Sequence, residues 1–438
     1  MSSTSQQTIA PTAKPSLSDM ASAARPDRNR AVDFYRAAAM LAVAFGHWAA
    51  IAVSRGATGE LTAGNALEYA PSMSWITWIF QVMPLFFVVG GFSSAMSLDS
   101  HNNDPSARPQ DWIVARLRRM LAPVIVLAGT WLVLIAGGFM TGYGALIGAG
   151  ATAAAIPLWF LANYTIDTAL APYVLPRFRR NPKLFSAIAI GVFLALEAIR
   201  FAGVAVIPHF NWVLGWLLFQ VAGFAWRDGL LPTGRRLATI SAGLWALAVG
   251  AVTIGPYPVA MVHFPGLENS PTHPPSLALM LFGAAFSSTA LLLAPTISRF
   301  LARSPRAWSA VVGANAIAMS VYLWHMTAAI AAVAILFAFG QLPTALVGTA
   351  AWWLQKLPMV AIASLLLAGI VAKVAKVEQQ ALLAPRQPWK GGQASIIAVA
   401  LVLSTALKLW ASGSVVHVIA MTAIILTVWF RTLGSKEA

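Results

Sequence analysis

The first long apolar stretch of the chain, residues 31–53, carries an acid, an arginine and a histidine: Asp33, Arg36 and His47. An ionisable group at the centre of a membrane helix costs about 2.5–3.5 kcal/mol on insertion scales, so such groups are usually kept for a reason. A histidine can take a proton from a hydroxyl, and an arginine can hold phosphate oxygens through charge-assisted hydrogen bonds. These residue types could support proton transfer and anion binding inside a membrane.

The spacing of these side chains places them along one helix face. Arg36 and His47 are eleven residues apart, which is three turns plus about 20°, so about 16 Å of helix axis separates them. Asp33 lies one turn before Arg36, where an ion pair can form and orient the guanidinium. A purely structural interpretation stays open, with Asp33 and Arg36 as interfacial anchors and His47 as a packed, hydrogen-bonded histidine.

The composition identifies the class of protein. Of the 438 residues, 58% are hydrophobic and 10% are charged, whereas soluble proteins carry about 25% charged residues. We therefore expect an all-α, polytopic integral membrane bundle. The net charge of +15 is spread in short clusters between apolar runs, which excludes a nucleic-acid binder. The absence of cysteine excludes disulfides and a cysteine-ligated metal.

Apolar runs of about 20 residues predict membrane helices. Twelve such runs lie near residues 31–53, 74–98, 117–140, 154–175, 184–206, 211–230, 237–257, 275–297, 311–339, 350–372, 394–411 and 415–431. The tenth run is the least regular, because Lys356 and Pro358 interrupt it. Residues 1–29 are polar and predict a disordered cytoplasmic tail.

The basic residues predict the orientation of the bundle. With twelve helices, 24 of the 29 Lys and Arg fall on the side of the N-terminus, so both termini are expected in the cytoplasm and the protein in the cell membrane. Two longer connections, residues 54–73 and 258–274, then face outward. The second contains Glu268 and Asn269, which suit the binding of a hydroxylated acceptor or simple hydration; both interpretations stay open.

Five segments in order resemble acyltransferase family 3, a family of integral membrane acyltransferases. They are the Arg36-x10-His47 pattern preceded by Asp33, the segment Met83–Phe92, the cluster Arg116 to Arg119 followed by Pro123, the segment Pro157–Leu161, and Ser320-x-Tyr322-x-x-His325. A valine–glutamate pair, Val377 and Glu378, closes the resemblance. Together these segments cover about residues 30–380.

The chain also departs from the pattern of that family. Gly90 stands where the family usually has serine, although Ser93 follows one turn later, and Pro157 stands where it usually has histidine. The resemblance implies a ten-helix acyltransferase core over residues 30–380. Residues 381–438 then form a cytoplasmic linker and two additional membrane helices, and no fused soluble domain follows the core.

The resemblance implies transfer of an acyl group, commonly acetyl, from acyl-coenzyme A to a hydroxyl of a cell-envelope glycan or glycolipid. His47 is the expected general base, with Arg36 and Asp33 beside it in the catalytic set. Arg36, Arg116 and Arg119 are expected to hold the donor phosphates. The expected cavity-lining residues are Trp159, Ser320, Tyr322 and His325, and Glu268 and Asn269 are expected on the acceptor side.

A membrane transporter or flippase is the alternative function. It would move a lipid or glycan and use Asp33, Arg36, His47 and His325 as a polar relay. Acyl-coenzyme A consumption that depends on an added acceptor separates the two functions. We predict no metal and no permanently bound cofactor; the expected partners are acyl-coenzyme A (acetyl-coenzyme A), the acceptor and the lipid bilayer, and a homo-oligomer stays open.

Overall fold

The computed structural model describes residues 28–56, 59–204, 206–383, 389–412 and 414–433. The predicted N-terminal tail lies outside these residues, except for Arg28 and Asn29. The described chain is almost entirely helical, which confirms the predicted all-α, polytopic membrane fold.

The helices follow one another along the described chain. They are α1 (Arg30–Ala50), α2 (Ala66–Tyr69), α3 (Thr77–Phe80), α4 (Met83–Asn102), α5 (Pro109–Met140), α6 (Gly144–Ala155), α7 (Leu158–Arg180), α8 (Pro182–Phe201), α9 (Asn211–Arg227), α10 (Gly234–Thr253), α11 (Leu277–Arg303), α12 (Pro305–Ala338), α13 (Ala350–Leu383), α14 (Gln393–Ser412) and α15 (Val415–Val428). Short 3-10 helices cover Pro71–Ile76 and Ile207–Phe210, and a π-helical turn covers Trp429–Leu433. Strands β1 (Ile51–Arg55) and β2 (Leu61–Asn65) pair as an antiparallel hairpin.

Each of the twelve predicted segments falls on a helix. By length and composition, 8 helical segments of the described chain can cross a membrane, and α6 with α7, bent by 42°, raises the number to 9. The remaining predicted segments are shorter or more polar: α1 carries its ionisable residues, α9 has 17 residues and α15 has 14. The protein is therefore a multi-pass membrane protein.

Helix α1 lies inside the bundle, in contact with α4, α11 and α12. The Asn29 side chain caps its first turn by accepting hydrogen bonds from the amides of Ala31 and Val32. At the other end Ile51 is extended, and β1 begins there. The helix that carries Arg36 and His47 is thus fixed at both ends.

Two glycines let α4 and α9 pack at close range. A Cβ at Gly91 would lie 2.0 Å from the carbonyl oxygen of Gln220, and a Cβ at Gly223 would lie 2.0 Å from that of Val88. Membrane helices use such small residues because dispersion contacts, rather than the hydrophobic effect, hold them together in lipid. Larger side chains at these two positions would push α4 away from α9.

The tenth predicted segment is one continuous helix, α13, despite Lys356 and Pro358. Lys356 is buried and does not interrupt it, because its Nζ donates to the carbonyl oxygens of Ala49 at 2.7 Å and Ile51 at 2.5 Å. The ammonium also lies 4.2 Å from the ring centroid of Trp352. Lys356, which interrupts the apolar run in the sequence, therefore stabilises the C-terminal end of α1.

The two additional C-terminal helices pack onto the core. Helix α14 lies along α7, and α15 contacts α14, α6 and α5. The contact with α6 is close, since a Cβ at Gly148 would lie 2.1 Å from Cγ2 of Val415. These helices therefore cover the bent pair α6–α7.

Candidate functional site

The imidazoles of His47 and His325 form a direct pair between α1 and α12. Nδ1 of His47 lies 2.8 Å from Nε2 of His325, and the two rings are nearly parallel, with an interplanar angle of 6°. His325 is fully buried. The resemblance predicts that His325 lines the cavity, and the structure brings it into hydrogen-bond contact with the expected base, His47.

The partners of His325 determine where the protons of the pair lie. Its Nδ1 is 2.7 Å from the carbonyl oxygen of Tyr322, and a carbonyl only accepts, so this Nδ1 carries the hydrogen. In the neutral ring Nε2 is then an acceptor, and Nδ1–H of His47 donates to it. The lone pair of His47 Nε2 is thereby left for a substrate proton. The pair has the tautomers that a general base requires.

Trp48 and Tyr322 fix the helices around this pair. The Trp48 indole N–H donates to the carbonyl oxygen of His325 at 2.9 Å, and Trp48 is buried. The Tyr322 hydroxyl donates to the carbonyl oxygen of Pro157. Tyr322 thus makes two contacts: its main-chain carbonyl accepts a hydrogen bond from His325, and its hydroxyl links α12 to α7.

Ser320 contacts a buried acid of α13. Its hydroxyl donates to Oε2 of Glu378, and the indole of Trp324 donates to Oε1 at 3.3 Å. Glu378 is 5% exposed, so these two hydrogen bonds offset part of the cost of burying the carboxyl group. The Ser320 hydroxyl therefore links α12 to α13. It lies more than one helical turn before His325 on α12.

Arg36 and Asp33 lie on the expected face of α1, but their closest partners differ from the expected ones. Arg36 Nη1 is 3.7 Å from Asp33 Oδ1, whereas Arg28 reaches Asp33 Oδ2 at 2.5 Å and Oδ1 at 3.1 Å. The short hydrogen bond of Arg36 runs from Nη2 to Ser93 Oγ at 2.6 Å, and Ser93 Oγ donates to the carbonyl oxygen of Val89. Asp33 thus chiefly holds Arg28, and Ser93 orients Arg36.

Tyr164 occupies the space in front of Gly90. A Cβ at Gly90 would lie 2.8 Å from Cε2 and 3.0 Å from the hydroxyl oxygen of Tyr164. The glycine that departs from the family pattern therefore gives room to a tyrosine from α7. The hydroxyl that meets Arg36 comes instead from Ser93, one turn later.

Arg116 and Arg119 lie on the first half of α5. Arg116 is close enough to Arg36 and Arg119 for their charges to act on it, and its guanidinium lies 5.0 Å from the ring centroid of Trp112. Its Nε is buried without a hydrogen-bond partner among the described residues. Arg119 is exposed, and its Nε donates to the carbonyl of Ala115 at 3.4 Å. Arg36 and Arg116 thus bring two positive charges together.

The end of the bundle that carries loop 254–276 places Trp159 beside a histidine. The Trp159 ring lies 6.1 Å from that of His273 and 5.7 Å from that of Trp216. Glu268 and Asn269 are exposed, and Asn269 adopts a positive φ of 49°. No local pattern in the sequence indicates the contact of His273 with Trp159.

Desolvation by burial, together with smaller contributions from the neighbouring His263, Lys408 and His209, lowers the pKa of His273 to about 4. The ring is therefore neutral at pH 7. Among the described residues, no group of three or more His, Asp or Glu could hold a metal ion.

A comparison with protein families finds a match over most of the chain. A family model described as an acyltransferase domain matches residues 29–374. This range begins just before α1 and ends within α13, so it contains the His47–His325 pair and the arginines of α1 and α5. No curated protein and no solved structure matches the chain.

Proposed function

Because the chain belongs to acyltransferase family 3 and is a membrane acyltransferase, we propose that it acylates a hydroxyl of a cell-envelope glycan or glycolipid. The donor is a cytoplasmic acyl-coenzyme A, with acetyl as the expected acyl group. The observation that supports this most directly is the 2.8 Å contact between His47 Nδ1 and His325 Nε2. It gives a histidine on the family's first-helix motif a free Nε2 and a fixed orientation.

The reaction begins at the acceptor hydroxyl. His47 Nε2 takes the hydroxyl proton while the oxygen attacks the thioester carbonyl carbon. The imidazolium that forms keeps its Nδ1–H directed at His325 Nε2, and this hydrogen bond strengthens as His47 becomes charged. His325 is in this proposal a positioning residue, comparable in role to the group that orients the histidine of a nucleophile–base pair.

Collapse of the tetrahedral intermediate completes the transfer. The carbon–sulfur bond breaks, the coenzyme A thiolate leaves, and the proton held by His47 passes to that sulfur. The products are the O-acyl ester and coenzyme A, so protons and charge balance. His47 returns to its neutral tautomer without a metal ion.

The donor is proposed to lie along α1. Arg36 and His47 are about 16 Å apart along the helix axis, which suits an extended pantetheine arm between phosphates and thioester. Arg36, Arg116 and Arg119 would hold the phosphates. The unpartnered Nε of Arg116 supports this role, since a buried guanidinium N–H without an acceptor costs free energy until an anion binds.

The proposed orientation follows from the basic residues. The ends that carry Arg36, Arg116 and Arg119 face the cytoplasm, where coenzyme A is found, and both termini lie on that side. His47 is near the opposite end of α1, and the acceptor would enter there. The protein would thus accept its two substrates from opposite sides of the cell membrane.

The test is acyl transfer by the purified protein in lipid nanodiscs. Radiolabelled acetyl-coenzyme A is supplied together with envelope glycan and glycolipid fractions from a strain that lacks the protein. Label should appear in one fraction as an alkali-labile ester, and His47→Ala should abolish its appearance. Flux of a lipid or glycan across the bilayer without thioester consumption would contradict the proposal and favour transport.

A further inference from the structure

Several histidines and a lysine lie close to two tryptophans, Trp159 and Trp212, at the loop end of the bundle. The ring of His263 lies 5.2 Å from that of His273, which in turn lies 6.1 Å from that of Trp159. Nδ1 of His273 is engaged by the Thr272 hydroxyl at 2.9 Å. Because the His273 ring is neutral at pH 7, its Nε2 can meet a polar ligand without carrying a charge of its own.

A lysine of an additional helix also belongs to this group. Lys408, near the end of α14, places its Nζ 3.7 Å from the ring centroid of Trp212. It is also close enough to His273 for its charge to act on that ring, as is His209. We call His209, His263, His273 and Lys408, with Trp159 and Trp212, the outer basic cluster.

The outer basic cluster is linked to the histidine pair through residues at the start of α7 and on α12. Trp159 lies two residues after Pro157, whose carbonyl oxygen accepts the hydrogen bond of the Tyr322 hydroxyl. The ring of Tyr322 is 6.2 Å from that of His325. Trp159 is therefore connected to the histidine pair through Pro157 and Tyr322.

The buried acid near this end of the bundle already has its own partners. Oε1 of Glu197 accepts from Arg200 at 3.2 Å, from the Tyr257 hydroxyl at 2.8 Å and from the Leu277 amide at 3.0 Å. Oε1 is thus engaged by Arg200 and local hydrogen bonds, whereas Oε2 is buried without a hydrogen-bond partner among the described residues. The aromatic faces of the cluster suit the apolar face of a sugar, and its basic groups suit an oxyanion.

We propose that the outer basic cluster binds an anionic group, a phosphate or carboxylate oxyanion, on the acceptor. This inference rests on the proposed function and deepens it, because it makes the acceptor an acidic saccharide rather than a neutral one. It also gives the additional helices a role, since α14 supplies Lys408. A core without α14 would lack this charge.

The test measures binding separately from catalysis. Binding is followed by the shift in the thermal unfolding midpoint of the full-length protein as the ligand concentration rises. The probes are glucose 1-phosphate, glucuronate and neutral glucose, at constant ionic strength. The two anionic probes distinguish a phosphate from a carboxylate as the recognised group. At least one of them should stabilise the protein at concentrations where glucose does not.

Variants of Lys408 connect this binding to the cluster. Lys408→Met should weaken apparent binding of the anionic probe by about tenfold or more, the effect of losing one charge-assisted hydrogen bond, whereas Lys408→Arg should largely retain it. Lys183→Met is the matched control, because it removes an exposed lysine at the start of α8, far along the chain from the cluster. Its response should equal that of the unmodified protein.

Three results would overturn the inference: equal stabilisation by glucose, no stabilisation by either anionic probe, or an unchanged response in a folded Lys408→Met variant. Failure of the proposed function is a separate result. If acyl-coenzyme A is never consumed while anionic probes bind through Lys408, the binding site stands and the reaction does not. If both hold, Lys408→Met should raise the KM for the acceptor fraction and leave the KM for acyl-coenzyme A unchanged.

Discussion

Replacing His325 by phenylalanine tests whether the histidine pair works as one unit. The substitution keeps an aromatic ring in a fully buried position and removes the acceptor for His47 Nδ1–H, which lies 2.8 Å from His325 Nε2. His47 itself remains. Its neutral ring would then no longer be held in the tautomer that leaves Nε2 free, and the imidazolium formed during transfer would lose its partner.

The expected loss is intermediate between no effect and removal of the base. A hydrogen bond to a charged group contributes about 1.5–3 kcal/mol, which corresponds to a decrease in turnover of about 10- to 150-fold. Removing the base with His47→Ala should cost about 10²- to 10⁴-fold. His325→Gln should recover part of the loss, because its side-chain carbonyl can accept from His47 Nδ1–H.

The assay is release of the coenzyme A thiol with a thiol-reactive dye, which has no protein background because the chain contains no cysteine. Thermal unfolding and gel filtration check that each variant is folded. Activity of the unmodified protein should also fall as the pH decreases, since protonation of His47 Nε2 removes the lone pair that receives the substrate proton.

A double variant gives the decisive comparison. If the two histidines act as a unit, His47→Ala combined with His325→Phe should be about as slow as His47→Ala alone, because residues of one catalytic unit are strongly non-additive. Near-normal turnover of a folded His325→Phe variant would refute the role of His325. Full multiplication of the two effects would show that the residues act independently.

Three further predictions concern the rest of the chain. Arg116→Ala and Arg119→Ala should each raise the KM for the acyl donor more than they lower maximal turnover, and an unchanged donor KM would leave them as topology determinants. Single cysteines introduced into this cysteine-free chain should be labelled by an impermeant reagent in intact cells at position 268 but not at 236. Labelling at 236 but not at 268 would show that the predicted topology is inverted. Lys356→Met should lower the free energy of unfolding by about 1–3 kcal/mol, because two carbonyl groups at the end of α1 lose their donor, and an unchanged unfolding midpoint would show that this contact contributes little.

Hydropathy by itself determined the fold class and the helix order. A lipid-exposed backbone can satisfy its hydrogen bonds within a helix, so each apolar run of sufficient length becomes one. The same local rule put Arg36 and His47 on one face of α1, because helical periodicity is independent of the rest of the chain. The arrangement around Lys356 was not predictable in this way, since its acceptors, Ala49 and Ile51, lie about 300 residues earlier.

Only the tertiary structure decided which polar groups meet. His47 and His325 are 278 positions apart, and spacing along the chain carries no information about a contact between two helices that distant. Asp33 had a plausible partner in Arg36 by periodicity, yet Arg28 reaches it more closely from the residues that precede the helix. The position of α14 likewise brings Lys408 to Trp212 and His273. Local sequence specifies helices and faces, whereas helix packing selects among the many possible partners of each polar side chain.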